Sequence, residues 1–216
     1  GGGTSILARA VSRFGSGSGS LRGAKWASVA PMGEPRSNFA VTAFGGRLYA
    51  SGGVAGDSTT NSAECYSPGG GDERKGSWQK LPPMSTARQG HAAVALGGQI
   101  LLSGGSSGVP GKEKPQHLLS ACETFDPSGF MWWQMPDMNC VRRSHTMVAL
   151  KRLAVVCGGL KSAPGCFKPT DSTEIFIPDT QAWCLGAPLL VARQAHQCVV
   201  FASRIYVLGG VAESQS

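Results

Sequence analysis

Three histidines, His91, His145 and His196, each stand three residues after an arginine. Clustered histidines are the usual makings of a zinc site. Three glutamates, Glu64, Glu123 and Glu174, recur in the same way, and paired carboxylates can share acid and base roles. Four arginines, Arg36, Arg88, Arg142 and Arg193, carry the planar fork that fits carboxylates and phosphates. Spacing decides among these chemistries. Each set has its members about fifty residues apart, so they occupy equivalent positions in successive units. Metal ligands must converge to about 2 Å from one ion, and one residue per unit does not do that. The histidines are therefore expected to be buried and bonded beside a turn, and the glutamates to sit in structural ion pairs. No nucleophile elbow, Walker loop, H-E-x-x-H or dinucleotide fingerprint is present. The reading is a non-enzyme with no catalytic residue, metal or cofactor.

The arginines keep two compatible readings. Each can bond backbone carbonyls or a neighbouring carboxylate inside the fold. Together they can also ring one face and hold an acidic partner. The residues next to them in the chain, Ser37, Gln89, Arg143 and Gln194, differ from one another. A patterned recognition surface needs such variation.

The elements that must position these residues repeat with unusual regularity. Trp26, Arg36 and Gly52-Gly53 open a series continued by Trp78, Arg88 and Gly104-Gly105, then Trp132, Arg142 and Gly158-Gly159, then Trp183, Arg193 and Gly209-Gly210. Tryptophan to arginine is always 10 residues and arginine to the first glycine always 16. A fixed period of this length signals stacked supersecondary units. In one unit, His91–Leu96 and Gln99–Ser103 read as a hairpin ending at Gly104-Gly105. A polar loop from Ser106 to about His117 precedes a third strand at Ala121–Phe125, and a fourth begins at Trp132. The position six after each tryptophan holds Met32, Met84, Met138 or Leu189, an apolar plug. The four tryptophans are expected to be largely buried where one unit meets the next, Trp183 less than the others. Trp133 faces the other side of its strand.

The motifs that carry a family likeness are Arg47-Leu48-Tyr49-Ala50-Ser51-Gly52-Gly53 and Asn61-Ser62-Ala63-Glu64-Cys65-Tyr66-Ser67-Pro68. With the Trp and Gly-Gly period they resemble the kelch repeat. The turns at Pro31-Met32, Pro83-Met84 and Asp137-Met138 resemble those of Kelch-like (BTB-Kelch) proteins in particular. The likeness implies an all-β, kelch-type β-propeller over residues 1–216, partial at about four blade equivalents of six. Residues 36–84, 88–138 and 142–189 read as whole blades, 193–216 as a leading half-blade and 1–32 as a trailing half-blade with a Gly/Ser-rich loop. In that half-blade Ala10–Phe14 is a degenerate third strand, because Phe14 lies 12 before Trp26 as Tyr66 lies 12 before Trp78. The two end segments could also meet and close a four-bladed ring. The chain reads as a piece of a longer protein. Departures from the repeat include Leu101 and Val155 where the motif has tyrosine, and Cys157 where earlier copies have Ser51 and Ser103.

Composition narrows the partners. Charged residues make up 15% and the formal charge is +7, but lysines and arginines are scattered, so a nucleic-acid surface is not expected. No apolar run is long enough for a membrane helix. Seven cysteines, an odd number without C-x-x-C, read as reduced thiols of a cytoplasmic protein. The resemblance implies a protein-interaction module, the substrate-recognition propeller of a BTB-Kelch adaptor for a cullin-type ubiquitin ligase, linked to it through a BTB domain. An actin-binding kelch protein is the alternative, and a kelch-fold enzyme a more distant one. In Kelch-like propellers the loop before the first strand and the loop between the second and third form the partner face. Arg36, Ser37, Arg88, Gln89, Arg142, Arg143, Arg193 and Gln194 are therefore the candidate partner-binding residues, and an acidic or phosphorylated peptide is the expected partner class.

Overall fold

The computed structural model describes residues 9–11, 26–69, 75–108 and 116–212. Branched and small residues alternate with turn residues throughout, and the chain answers with strands; there is no helix among the described residues. Three antiparallel four-stranded sheets succeed one another along the chain. The first holds Ala40–Phe44, Arg47–Ser51, Ala63–Ser67 and Ser77–Lys80. The second holds Ala92–Leu96, Gln99–Ser103, Cys122–Asp126 and Met131–Met135. The third holds Thr146–Leu150, Leu153–Cys157, Thr173–Ile177 and Ala182–Leu185. In each, strand order matches chain order. The first strands of successive sheets lie side by side, so the sheets stack as blades around an axis.

The core lies between blades rather than within them. Tyr49, Ala63, Cys65, Leu81 and Met84 of the first blade pack against Ile100, Leu102 and Phe125 of the second. Leu101, Cys122 and Met138 of the second pack against Met147, Val156, Phe176 and Trp183 of the third. Alternate residues of one strand thus serve opposite interfaces, as Leu101 and Leu102 do, because side chains along a strand alternate faces. Met84 and Met138 fill the gaps where the chain crosses to the next blade.

Several expectations are corrected. Trp183 is the buried tryptophan, 8% exposed, whereas Trp78 and Trp132 are only half-buried. The physical reason is direction. Each indole reaches back to the preceding unit: Trp132 Nε1 donates to the Pro82 carbonyl at 2.8 Å and Trp183 Nε1 to that of Pro136 at 2.9 Å. Trp78 does the same to Ala30 at 2.9 Å. The next blade along the chain therefore does not bury the tryptophan of the one before it. Each ring also packs on its cross-strand aromatic, with centroids 5.0 Å apart for Phe125–Trp132 and 5.2 Å for Phe176–Trp183.

The expected polar loop after Gly105 begins and ends in a short pairing of Ser106–Ser107 with His117–Leu118. Its counterparts are Val54–Ala55 with Ser58–Thr59, and the longer Leu160–Ala163 with Cys166–Pro169. At the head, Arg9–Val11 pairs with Trp26–Ser28, and Val11 stands opposite Trp26. The strand expected at Ala10–Phe14 is thus described at Arg9–Val11, and Phe14 lies outside the described residues. Gln197–Phe201 pairs with Arg204–Leu208 as a separate two-stranded sheet. Among the described residues the two end segments do not join into one blade.

Trp183→Ala should lower stability by about 3–5 kcal/mol, the loss expected for a large buried aromatic. Trp133→Ala, at a position 52% exposed, should lie within about 0.5 kcal/mol of wild type. The urea midpoints of the two variants measure the difference.

Candidate functional site

The loop that enters each blade carries its arginine to one place. Arg88 Nη1 donates to the carbonyls of Gly104 at 2.8 Å and Ala121 at 2.7 Å, and its Nη2 to Glu123 Oε1 at 2.7 Å. Arg36 repeats this with Gly52, Ser62 and Glu64, and Arg142 with Gly158, Ser172 and Glu174. These three guanidinium side chains have no solvent exposure. The glutamates have a second task. Glu123 accepts the backbone N–H of Ser85 at 2.8 Å and of Thr86 at 3.3 Å, which fixes the loop leading into the arginine. Glu64 holds Gly33 and Glu34, and Glu174 holds Asn139 and Cys140, in the same way. The structural reading of the arginines and glutamates thus describes their geometry. Arg36, Arg88 and Arg142 lie beneath the proposed partner face, not on it, because their Nη donors are spent on internal acceptors.

The Gly-Gly pair is where two blades are tied. Gly104 offers its carbonyl to Arg88 of its own blade, and Gly105 N–H donates to the Arg142 carbonyl of the next at 2.8 Å. Both have positive φ, 60° and 98°. A Cβ on Gly104 would stand 2.6 Å from the Arg142 carbonyl oxygen, so only glycine fits. Arg193 keeps one such bond, from Nη1 to the Gly209 carbonyl at 2.7 Å, but is half-exposed and meets no carboxylate among the described residues.

Two residues after each arginine the backbone turns left-handed: Asn38, Gly90, Ser144 and Ala195 have φ of 52°, 59°, 54° and 50°. These positions are joined blade to blade. Gly90 N–H donates to the Asn38 carbonyl at 2.8 Å, Ser144 to Gly90 at 2.7 Å, and Ala195 to Ser144 at 2.9 Å. Sequence reasoning missed this row. Asn38 and Gly90 suit a left-handed turn, but Ser144 and Ala195 gave no such signal. The row brings the residues just before it together. Asn38 Nδ2 donates to Gln89 Oε1 at 3.3 Å, and Gln89 Nε2 to the Gly108 carbonyl at 2.6 Å. Gln89 is buried, Ser37 exposed, and Arg143 and Gln194 half-buried. Each also bridges to the residue after a Gly-Gly: Ser37 to Val54, Gln89 to Ser106, Arg143 to Leu160 and Gln194 to Val211. The Arg143 guanidinium lies 5.3 Å above the Phe167 ring on the Leu160–Pro169 hairpin.

The histidines are buried, one per interface. His91 Nε2 bonds Ser51 Oγ at 3.0 Å, His145 Nε2 bonds Ser103 Oγ at 3.0 Å, and His196 Nε2 bonds Thr146 Oγ1 at 3.1 Å. Their partners are hydroxyls of the preceding blade, where backbone groups were expected. Burial, then the nearby arginines, hold His91 well below its usual pKa and bring His145 to about 3. Charging either ring would also place a proton on Nδ1, which has no acceptor among the described residues.

This region resembles known proteins in a consistent way. Residues 35–85 match the Kelch motif family. Kelch-like protein 26 of Danio rerio is 28% identical over 187 residues, covering 86% of this chain and 29% of that protein. Kelch-like protein 15 of Homo sapiens is 28% identical over 208 residues, covering 86% of this chain and 32% of that one. The chain thus spans about a third of the length of these relatives. The solved structure of YjhT superposes with a TM-score of 0.68 at 12% identity, over 83% of this chain and 59% of that one, a likeness of fold.

The clamp and the histidines each lead to a measurable outcome. Arg88→Ala should cost about 3–5 kcal/mol, because Glu123 is left as a buried, unpaired charge; chemical denaturation measures it. His145 binds no proton in the folded state until pH nears about 3, while the unfolded chain protonates it near 6.5. The unfolded state therefore binds more protons between those values, and stability falls as pH drops through that window. In His145→Gln the thermal midpoint should fall less between pH 7 and pH 4 than in wild type. The fold is all-β, a partial β-propeller of the kelch type, and the chain is similar over most of its length to Kelch-like proteins.

Proposed function

We propose that the chain is a protein-interaction module, the substrate-recognition propeller of a BTB-Kelch adaptor for a cullin-type ubiquitin ligase. Residues 36–84, 88–138 and 142–189 serve as its whole blades and 193–216 as a leading half-blade. The observation that carries the reading is the left-handed row at Asn38, Gly90, Ser144 and Ala195, which sets variable side chains from four units along one face of an otherwise invariant clamp. The likeness to Kelch-like proteins supports the adaptor role.

Recognition falls to the members of the face that keep access to solvent. Ser37, Arg143, Arg193 and Gln194 contact the partner, while Arg36, Arg88 and Arg142 hold the loops from below and Gln89 braces Asn38. The partner is an acidic or phosphorylated segment. Supporting this, the Arg143 fork lies over the Phe167 ring, on the hairpin that also carries the exposed Lys161. The nearby acids are already engaged: Glu34 bonds Arg36 and Ser62, and Asp137 accepts Ser120 at 3.0 Å. Long-range attraction of this kind weakens as salt rises.

The test is recovery of partners by the full-length protein, wild type against Arg143→Ala/Gln194→Ala, with equal folding verified by thermal melt. Loss of a charge-assisted bond lowers affinity about tenfold or more. The double variant should lose its partners while a cullin still co-purifies. Equal recovery by both proteins would overturn the assignment of this face, and absence of cullin from both would overturn the adaptor role.

A further inference from the structure

One blade interface departs from the others in its chemistry. At two interfaces the residue before Gly-Gly faces the residue two after the next histidine. Between the second and third blades these are Ser103 and Met147, with the serine hydroxyl donating to the thioether 3.6 Å away. One interface further on, the same two positions hold Cys157 and Cys198, close enough for each thiol to shift the acidity of the other. With no serine at 157, His196 turns to Thr146, the cross-strand partner of Cys157. The Thr146 hydroxyl in turn donates to Cys198 Sγ at 2.8 Å. Thr146 has one proton to give. If it goes to sulfur, His196 Nε2 must carry the proton that bonds Thr146 Oγ1. The result is a directed chain from imidazole through hydroxyl to Cys198.

We propose that Cys157 and Cys198 are an oxidisable pair across the blade interface, in which half-exposed Cys198 reacts first with a peroxide and buried Cys157 resolves it to a disulfide. The neighbouring Cys157, His196 and Thr146 favour the Cys198 thiolate and, against the opposing effect of burial, hold its pKa below the ordinary thiol range, while Cys198 and burial push Cys157 up. Cys122, by contrast, is simply buried, and its pKa is pushed up to about 12. The thiolate is the reactive form of cysteine.

The chemistry balances with a hydroperoxide as oxidant. Cys198 sulfur attacks one peroxide oxygen, the O–O bond breaks, and Cys198 becomes a sulfenic acid. The hydroxide released takes a proton from solvent. Cys157 sulfur then attacks Cys198 sulfur, the S–O bond breaks, and the departing hydroxide leaves as water with the Cys157 proton. The two sulfurs together give up two electrons, and the peroxide accepts them.

The experiment treats the whole chain with hydrogen peroxide and maps its peptides without reduction. A parallel sample tracks iodoacetamide labelling of Cys198 against the exposed Cys140, Cys166 and Cys184 at pH 7. The expected result is a Cys157–Cys198 linked peptide, reversed by dithiothreitol, and labelling of Cys198 about tenfold faster than the three controls. Cys157→Ser installs the residue found in the two earlier copies. It should abolish the link and leave a sulfenic acid on Cys198 that dimedone traps. The proposal is overturned if Cys198 labels no faster than the controls, if both thiols survive peroxide, or if the disulfides formed join other cysteines.

Discussion

A buried guanidinium on each of three successive blades is the interaction on which the rest of the structure depends. Arg36, Arg88 and Arg142 each tie the end of the second strand, the carbonyl that precedes the third strand and a glutamate two residues beyond that carbonyl. Burying that charge is costly unless it is paired and hydrogen-bonded. Here Nη1 meets two carbonyls and Nη2 a carboxylate, so the cost is offset by bonds that exist only when three segments arrive together. The glutamate then fixes the incoming loop. An arginine-to-lysine change would lose this, since an ammonium cannot present the same planar fork.

From that clamp the blade interface is built. With its carbonyl held by its own arginine, the first glycine of each pair lies against the next blade, and the second donates to the next arginine's carbonyl. A histidine from the next blade closes over it, 2.9 Å from where a Cβ on Gly104 would be. Polar bonding concentrates at this end of the interface, and the apolar clusters fill the remainder. His91 and His145 stay neutral because burial and neighbouring arginines both oppose a second proton. Neutrality in turn lets one ring nitrogen share a hydroxyl proton across the interface.

The same economy divides scaffold from surface. Invariant residues spend their donors internally, and the side chains left over are those immediately after the arginine and on the small hairpins after Gly-Gly. The left-handed row aligns them without using their side chains at all, since its bonds are backbone to backbone. Ser37, Gln89, Arg143 and Gln194 can therefore differ in chemistry while their backbone positions stay fixed. The third hairpin, Leu160–Pro169, has the longest paired strands of the three, and among the described residues it is the one that brings an aromatic ring beneath an arginine at this face.

The amino-acid sequence by itself determined the architecture. Fixed separations among Trp, Arg and Gly-Gly require a unit that closes on itself in the same way each time, and the strands fall where alternation and turn residues put them. The structural roles of Glu64, Glu123, Glu174 and the histidines were also legible, because one equivalent residue per unit cannot converge on a shared centre. Only the tertiary structure decided which side of the face the arginines occupy. A guanidinium is chemically suited to a buried clamp and to an exposed partner site alike, and only the arrangement of acceptors around it selects one. It also decided that the indoles pack backward, Trp132 onto Pro82 and Trp183 onto Pro136, a direction that spacing does not encode. The meeting of Cys157 and Cys198 was invisible for a related reason. They stand at different positions of the repeat, and a contact between blades pairs unlike positions that a search for periodic equivalence leaves apart.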